Sequence, residues 1–376
     1  YQRRVRAIIA KADDLELDKI GVISMKRLQD AYDEWKKIFP MVVPFYAVKS
    51  NPHPDIIRFF VQNNCGFDCA TPKEVELVFQ QGARPDQIVY ANTIKSTHQL
   101  QNSLKAGARL FTFDNEDELE KLLKLDQKDM QLLLRVQPQH ESPEFNKCGA
   151  TLEEAKKLIL SCANLQILKG FSFHVGCCVT DIQLFINTVQ MCQQLREFAL
   201  TLGMQLEVLD IGGGFWFGEF SQHFGIQKIP TEQLKTLNNF FGGFQKVIAE
   251  PGRFFSGAIG DIYIKIIGRK VSKTEKSAEK SADFVNYYLA DGLHGVFANK
   301  LIFKTQPVLK CLSPNEDLVR SCFFGPTCNG GDCVARDVEA PMMEVGDWVV
   351  CEQFGAYSSV CGSQFNGFEM LQWIVQ

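Results

Sequence analysis

The sequence has no strong excess of charge, no long apolar run and no regular spacing of cysteines. Its 40 basic and 44 acidic residues leave a net charge of −4. The chain therefore has no excess of positive charge that would attract nucleic acid or an anionic membrane. No run reaches the roughly 18 apolar residues that a membrane helix needs, and the first residues lack the apolar core of a signal peptide. We therefore expect neither a nucleic-acid-binding protein nor a membrane protein.

The 13 cysteines are odd in number and scattered along the chain. Cys177 and Cys178 are adjacent, and no group of cysteines has the spacing of a zinc site. Disulfides are rare in compartments that keep thiols reduced. The cysteine pattern therefore predicts a cytosolic protein with free thiols and no bound metal.

The first two-thirds of the chain repeat a unit, a short apolar run followed by a helix-like segment. Apolar side chains three and four positions apart predict helices at 72–81 and 152–162. Nearly continuous apolar strands between helices are typical of parallel strands buried on both faces. The runs lie at 45–50, 65–70, 88–93, 109–114, 132–137, 170–175, 206–213 and 246–251. Eight such units are what a (β/α)8 barrel requires.

The pattern changes after about residue 257, where short apolar runs are separated by glycine and proline with little helical periodicity. Short apolar runs of this kind predict a β-rich domain, either a sandwich or a barrel. The sequence therefore predicts an α/β protein with a TIM-like barrel at 24–257 and a second domain formed by 1–23 and 258–376. Residues 19–24 are expected to form a strand that links the two domains.

Each of the eight apolar runs closes on a polar residue or a glycine. In (β/α)8 barrels the active site lies at the carboxyl ends of the strands, so we expect these eight residues to surround one pocket. They are Lys49, Asp68, Asn92, Asp114, Arg135, His174, Gly212 and Glu250.

Lys49 and the glycines at 212–214 are candidates for binding a carbonyl compound that carries a phosphate. Burial lowers the pKa of a lysine amine, which suits an amine that forms an imine; a structural lysine reaching towards solvent is the alternative. Three glycines allow backbone N–H groups to approach an anion, and Arg253 follows the eighth run, where a guanidinium can grip phosphate. A tight turn without a ligand is the alternative for the glycines.

Glu250, His174 and Cys328 are the other candidates for chemistry. The carboxylate of Glu250 could pair with a protonated ring nitrogen. The imidazole of His174 could stack on such a ring, although a core histidine satisfied by backbone is equally compatible with the sequence. Cys328 lies in a Pro/Gly loop, which favours a reactive thiol over a buried and inert one.

Nine short motifs in a fixed order resemble the eukaryotic ornithine decarboxylase family, whose members share an alanine-racemase-like barrel. The likeness runs from about Lys19 to Gln376, nearly the whole chain. The motifs are PFYAVKSNP, GFDCATPKEVELV, FHVG, LDIGGGF, AEPGRFF, YYLADG, FGPTCNG, FGAY and FNGF.

Members of this family use pyridoxal 5′-phosphate, and the resemblance implies which residues hold it. Lys49 would bond covalently to the cofactor aldehyde, His174 would stack on the ring, and Glu250 would pair with the ring nitrogen. Three further residues would lie near the cofactor: Asp68, Glu74 and Arg135. The implied phosphate contacts are Cys177, Gly213, Gly214, Gly252, Arg253 and Tyr357. The resemblance also implies a homodimer with shared sites, in which Cys328 of the partner subunit steers protonation of the product.

The chain departs from the family pattern at four positions. Cys177 stands where a phosphate-binding serine is usual, and Asn329 stands where an aspartate usually binds the distal ammonium of the substrate. Ile302 and Phe303 replace a Tyr-Asp pair that supplies a second acidic contact, and His294 replaces a tyrosine. The cofactor residues are thus nearly complete, whereas the acidic substrate contacts are reduced.

This pattern predicts decarboxylation of L-ornithine to putrescine in polyamine biosynthesis, with reduced sensitivity to difluoromethylornithine. Two alternatives stay open from the sequence. One is a regulatory protein like the antizyme inhibitors, which binds antizyme and catalyses little. The other is a decarboxylase of lysine or arginine, because substrate choice depends on the few altered positions.

Overall fold

The computed structural model describes residues 1–125, 129–138, 147–176, 182–216, 231–273, 283–303, 307–313, 315 and 317–376. The chain divides into two compact units. One unit, the barrel unit, consists of residues 29–255, and the other, the sheet unit, consists of residues 1–28 and 256–376. The chain begins in the sheet unit with helix α1 (Gln2–Asp14) and strand β1 (Lys19–Ile23), and helix α2 (Met25–Ile38) follows.

Eight parallel strands of the barrel unit pair in chain order and close on themselves. They are β2 (Val42–Ala47), β3 (Gly66–Cys69), β4 (Ile88–Tyr90), β5 (Leu110–Phe113), β6 (Gln131–Arg135), β7 (Leu168–Ser172), β8 (Val208–Asp210) and β9 (Lys246–Ala249). The last strand returns to the first, with Val42 opposite Val247. Each strand overlaps one of the eight predicted runs, so the predicted (β/α)8 barrel is confirmed.

A helix follows each strand of the barrel. The helices are α3 (Pro54–Gln62), α4 (Pro72–Gln80), α5 (Thr97–Ala106), α6 (Glu116–Leu123), α7 (Leu152–Cys162), α8 (Gln183–Thr201), α9 (Thr231–Phe240) and α10 (Arg253–Ile259). Helices α4 and α7 confirm the two helices predicted from the periodicity. Each begins after a threonine, Thr71 or Thr151, whose hydroxyl accepts the backbone N–H of the third helical residue. Such a cap satisfies one of the N–H groups that a helix start leaves without a partner.

The interior of the barrel contains one layer of apolar side chains that defines its inward face. Phe45, Val89, Leu133 and Ile248 form a buried cluster, and Val208 packs against it. Phe45, Val89 and Leu133 come from strands that are not neighbours, so they contact one another across the interior. Because side chains alternate between the two faces of a strand, the residue two positions later also points inward, one layer nearer the carboxyl ends.

The sheet unit contains one eight-stranded mixed sheet, which confirms the predicted β-rich second domain. Its later elements are β10 (Gly260–Lys273), β11 (Asp283–Leu289), α11 (Ala298–Phe303), β12 (Lys310–Cys311), β13 (Leu318–Phe324), β14 (Cys333–Pro341), β15 (Trp348–Cys351) and β16 (Trp373–Val375). The strand order is β12-β15-β10-β11-β13-β14. The predicted strand at 19–24 is β1, which pairs antiparallel with β10 and parallel with β16.

Two apolar clusters hold the sheet unit together. The larger is formed by residues of β10, β11, β13, β14 and β15, including Ile264, Tyr287 and Phe323. The smaller places the apolar face of α1, with Ile8 fully buried, against Ile20 of β1 and its neighbours. Among the residues that the structure describes, no helix combines the length and the apolar character needed to cross a bilayer.

Candidate active site

The next layer of side chains, between the apolar cluster and the carboxyl ends of the strands, is charged. Arg135 lies two residues after Leu133, and Glu250 lies two residues after Ile248. The same alternation places Asp210 above Val208, and Asp68 above Gly66, on which the ring of Phe45 packs. Side-chain alternation therefore turns four charged residues from four strands towards one space at the carboxyl ends. They are Asp68, Arg135, Asp210 and Glu250.

Lys49 lies beside this charged layer, in a turn of 3-10 helix (Val48–Ser50) that follows β2. Its Nζ donates a hydrogen bond of 2.5 Å to Asp68 Oδ2. The Asp68 carboxylate is fully buried, whereas 42% of the lysine side chain is exposed. The turn is fixed by Ser50 Oγ, which donates to the carbonyl of Ala47 at 2.8 Å. The amine is thus held at the mouth of the barrel but stays accessible.

Glu74 adds a second carboxyl near Lys49. It lies in the first turn of α4, where its Oε2 accepts the backbone N–H of Ala70 at 2.6 Å. Burial raises the pKa of Glu74 and the charge of Asp68 adds to the rise, while the Ala70 N–H and Lys49 oppose it. Glu74 therefore fixes the turn after β3 and contributes to the electrostatic potential at the Lys49 amine.

The carboxyls of Asp210, at the end of β8, and Glu250, directly after the adjacent strand β9, are close enough for each to influence the pKa of the other. Burial raises the pKa of Asp210 to about 7, and the hydrogen bonds from Glu250 and the Gly212 N–H lower it. Burial also raises the pKa of Glu250 well above its usual range, and the charges of Asp210 and Asp68 add to the effect. Two neighbouring buried carboxyls repel each other when both are ionised, which favours a proton on one of them.

His174 follows β7, and its Nδ1 accepts the backbone N–H of Gly176 at 3.0 Å. Because that nitrogen is an acceptor, a neutral imidazole carries its proton on Nε2. Nε2 points towards the glycine turn: a methyl group on Gly213 would be 3.4 Å from it. The Gly176 N–H therefore orients the ring, with its Nε2 edge beside the glycine turn.

The glycines at 212–214 allow the backbone to approach its neighbours more closely than any side chain would permit. Gly212 has a φ of +65°, and a methyl group there would be 2.1 Å from the Phe173 carbonyl oxygen. Gly214 has a φ of +101°, and a methyl group there would be 2.5 Å from the Gly176 carbonyl oxygen. Glycine is therefore required for the shape of this turn.

Arg253, the first residue of α10, lies over the ring of Trp216, with its guanidinium carbon 4.5 Å from the ring centroid. Trp216 follows the glycine turn by two residues. A guanidinium stacked flat on an aromatic ring keeps its edge for hydrogen bonds to an anion. Gly252, directly before Arg253, is buried.

This geometry can be compared with known proteins. Residues 25–257 match the family model described as pyridoxal-dependent decarboxylase, pyridoxal binding domain. The chain is 36% identical to an ornithine decarboxylase of Schizosaccharomyces pombe over 352 residues, which cover 89% of this chain and 78% of that protein. It is 34% identical to an antizyme inhibitor 2 of Xenopus laevis, over 89% of this chain and 75% of that one. A lysine/ornithine decarboxylase of Vibrio vulnificus, solved with cadaverine, has a TM-score of 0.88 at 28% identity, over 100% of this chain and 99% of that one.

The chain belongs to the pyridoxal-dependent decarboxylases. Members act on basic amino acids, and the cofactor is pyridoxal 5′-phosphate. The barrel unit fits this group on its own geometry. The glycine turn is a cradle that side chains would fill, and the buried Asp68 Oδ1 and Asp210 Oδ2 are reached by no N–H or hydroxyl donor from the described part of the chain. Lys49 and Glu250 are the amine and the carboxyl that would face the aldehyde and the ring nitrogen of such a group.

Five further residues predicted for this decarboxylase site belong to the sheet unit: His294, Phe303, Cys328, Asn329 and Tyr357. Asn329 Nδ2 lies 2.9 Å from His294 Nε2, and Asn329 Oδ1 accepts the backbone N–H of Gly331 at 2.9 Å. The imidazole of His294 stacks on Phe365 with 4.4 Å between ring centroids. Cys328 is exposed, so it is not a buried structural thiol. Three of the predicted residues therefore belong to one cluster, which we call the amide–imidazole cluster: His294, Cys328 and Asn329.

Three predicted positions have other outcomes. Tyr357 is partly buried in the sheet unit and has a φ of +53°. Phe303 is the last residue of α11, and its side chain lies outside the described residues. Cys177 also lies outside them.

Sequence reasoning missed two residues of the decarboxylase site, Asp210 and Trp216. A signal existed for Asp210, since a carboxylate inside an otherwise apolar run needs a partner when buried. No signal existed for Trp216, because its contact with Arg253 joins residues that are far apart in the sequence.

Proposed function

We propose that this decarboxylase converts L-ornithine to putrescine and CO2. The observation that carries the proposal is the complete charged layer at the barrel mouth, with Lys49 Nζ 2.5 Å from Asp68 and the Asp210–Glu250 pair beside it. Identity of 36% to an ornithine decarboxylase supports this choice of substrate. The free thiols of the described cysteines are compatible with a cytoplasmic enzyme.

The proposed roles follow from the geometry of these residues. Bound pyridoxal phosphate supplies a ring that accepts the electron pair left by departing CO2. The glycine turn and Arg253 would bind the phosphate, and the ring of Trp216 packs against Arg253. Lys49 would hold the cofactor through its aldehyde, and Asp68 would hold the Lys49 ammonium whenever the substrate amine occupies that aldehyde.

Two groups control protons in this scheme. Glu250 holds a proton at the ring nitrogen, and Cys328 of the partner subunit delivers one to the substrate α-carbon. The second assignment requires a homodimer, which we propose as the working assembly. The roles of the partner thiol and of the dimer rest on the family resemblance.

The experiment is CO2 release from L-ornithine, L-lysine and L-arginine by purified protein with added cofactor. We expect release from ornithine to be the fastest and Lys49→Ala to abolish it, along with the visible absorption band that bound cofactor gives. Faster release from lysine or arginine would overturn the choice of ornithine. A protein that never binds the cofactor would overturn the catalytic role.

A regulatory role is the second candidate, favoured by 34% identity to an antizyme inhibitor. This reading gains support if the protein captures purified antizyme and releases no CO2 from any of the three amino acids. One protein could both bind antizyme and release CO2, so antizyme binding and catalysis are measured on the same preparation.

A further inference from the structure

Asp210 is a buried carboxyl to which the reaction described above assigns no role of its own. It is 0% exposed, and its Oδ1 accepts the backbone N–H of Gly212 at 2.9 Å. Its Oδ2 is buried and receives no N–H or hydroxyl donor from the described part of the chain. Glu250 is the neighbouring carboxyl: its backbone N–H donates at 2.7 Å to the carbonyl of Gly212, the same residue whose N–H donates to Asp210, and its side chain influences the pKa of Asp210.

A hydrogen bond between two carboxyls requires one of them to carry the proton. Three other charged groups act on the pair. Asp68 opposes ionisation of both carboxyls, whereas Arg135 favours it, and Lys49 also favours ionisation of Glu250. Three carboxyls and two cations therefore determine where the proton lies.

We propose that Asp210 is a positioning residue that takes the shared proton and donates it as a hydrogen bond to Glu250. Glu250 can then present an ionised oxygen to the ring nitrogen while the pair carries only one negative charge. The inference rests on the proposed role of Glu250, but the proton sharing itself is a property of the protein without cofactor.

The first test uses protein without cofactor. Burial raises the pKa of Asp210 to about 7, so between its ordinary value and that pH the folded state binds a proton that the unfolded state releases. Stability from this group is therefore present at low pH and is lost as pH rises towards about 7. Asp210→Asn cannot titrate, and its amide can still accept from Gly212 with the oxygen and donate to Glu250 with the nitrogen.

We expect the Tm of Asp210→Asn relative to wild type to rise by roughly several degrees between about pH 5 and about pH 8. Asp332→Asn is the matched control. Asp332 is equally buried in the sheet unit, but its two oxygens accept from Leu293 N–H and from the hydroxyl of Thr327. Its Tm difference from wild type should be negative and the same at both pH values. If the Tm difference between Asp210→Asn and wild type is the same at both pH values, the proposal of a shared proton is wrong.

The second test uses the cofactor and asks whether the donated hydrogen bond matters. Asp210→Asn should bind pyridoxal phosphate with a Kd near that of wild type, measured from the visible absorption band. Asp210→Leu donates nothing to Glu250, and its Kd should rise by about tenfold or more. Equal Kd values for the two variants would overturn the positioning role. If wild type binds no cofactor, the proposed function fails, whereas the result of the pH test stands.

Discussion

At the scale of single residues, the orientation of the Asn329 amide decides what the amide–imidazole cluster can bind. Its oxygen is used by the Gly331 N–H, and its nitrogen faces His294. The side chain therefore presents donors where an ammonium needs an acceptor. A hydrogen bond between an ammonium and a carboxylate contributes roughly 1.5–3 kcal/mol, which an amide nitrogen cannot supply.

Asn329→Asp should therefore lower the KM for ornithine by about tenfold. It should also make the enzyme more sensitive to difluoromethylornithine, which carries the same distal ammonium. Steady-state kinetics and inhibitor titration measure both effects. Asn315→Asp, which adds the same charge at an exposed turn of the sheet unit, should change neither. If Asn329→Asp behaves like that control, the amide is not the contact that weakens ornithine binding.

At the scale of elements, the fit between β7 and β8 depends on a glycine. A methyl group on Gly170 would be 1.8 Å from the carbonyl oxygen of Val208 on the adjacent strand. Backbone cannot move aside as a flexible side chain can, so a larger residue separates the two strands. The same pair of strands places Ser172 opposite Asp210 in the charged layer.

Gly170→Ala should lower the free energy of unfolding by about 1–3 kcal/mol, because overpacking a rigid site costs that much. Denaturant unfolding of the protein without cofactor measures the change. Gly330→Ala is the control, since a methyl group there meets no atom within 4 Å. A Gly170→Ala protein as stable as this control would mean that β7 and β8 can move apart without cost.

The sequence could predict where the strands of the barrel lie, but not which of their side chains face the site. The runs that became β2 to β9 are bounded by polar residues and helix caps, so their positions and the fold were predictable. Within each run nearly every residue is apolar, so the sequence does not tell which side chains face inward. Asp210 was missed for this reason: the run was taken to end at Gly212, and only the packing of Val208 in the interior shows that Asp210 points into the site.

At the scale of the whole molecule, the predicted site residues are divided between two units. Lys49 lies in the barrel unit and Cys328 in the sheet unit. In the proposed homodimer, each active site takes its lysine from one subunit and its thiol from the other. Catalysis then depends on association as well as on the fold of one chain.

Mixing Lys49→Ala with Cys328→Ala subunits should therefore restore activity. Each mixed dimer has one site with both changes and one with neither, so random exchange gives at most about a quarter of wild-type activity. Differently tagged subunits, purified in sequence, verify that exchange has occurred. No activity in verified mixed dimers would mean that a single chain builds each site.

The sheet unit is formed by two segments that flank the barrel unit in the sequence. Strand β1 contains Gly21, which pairs with Trp373 of β16, and the Gln376 N–H bonds to the Ile23 carbonyl. A ribosome adds roughly 5–20 residues per second, so β1 waits for its partner strand β16 while the whole barrel is translated. The barrel can close earlier, as soon as β9 emerges to meet β2. The nascent chain therefore carries a finished barrel while its first strand still lacks both neighbours, an interval in which a chaperone that shields apolar edges can act.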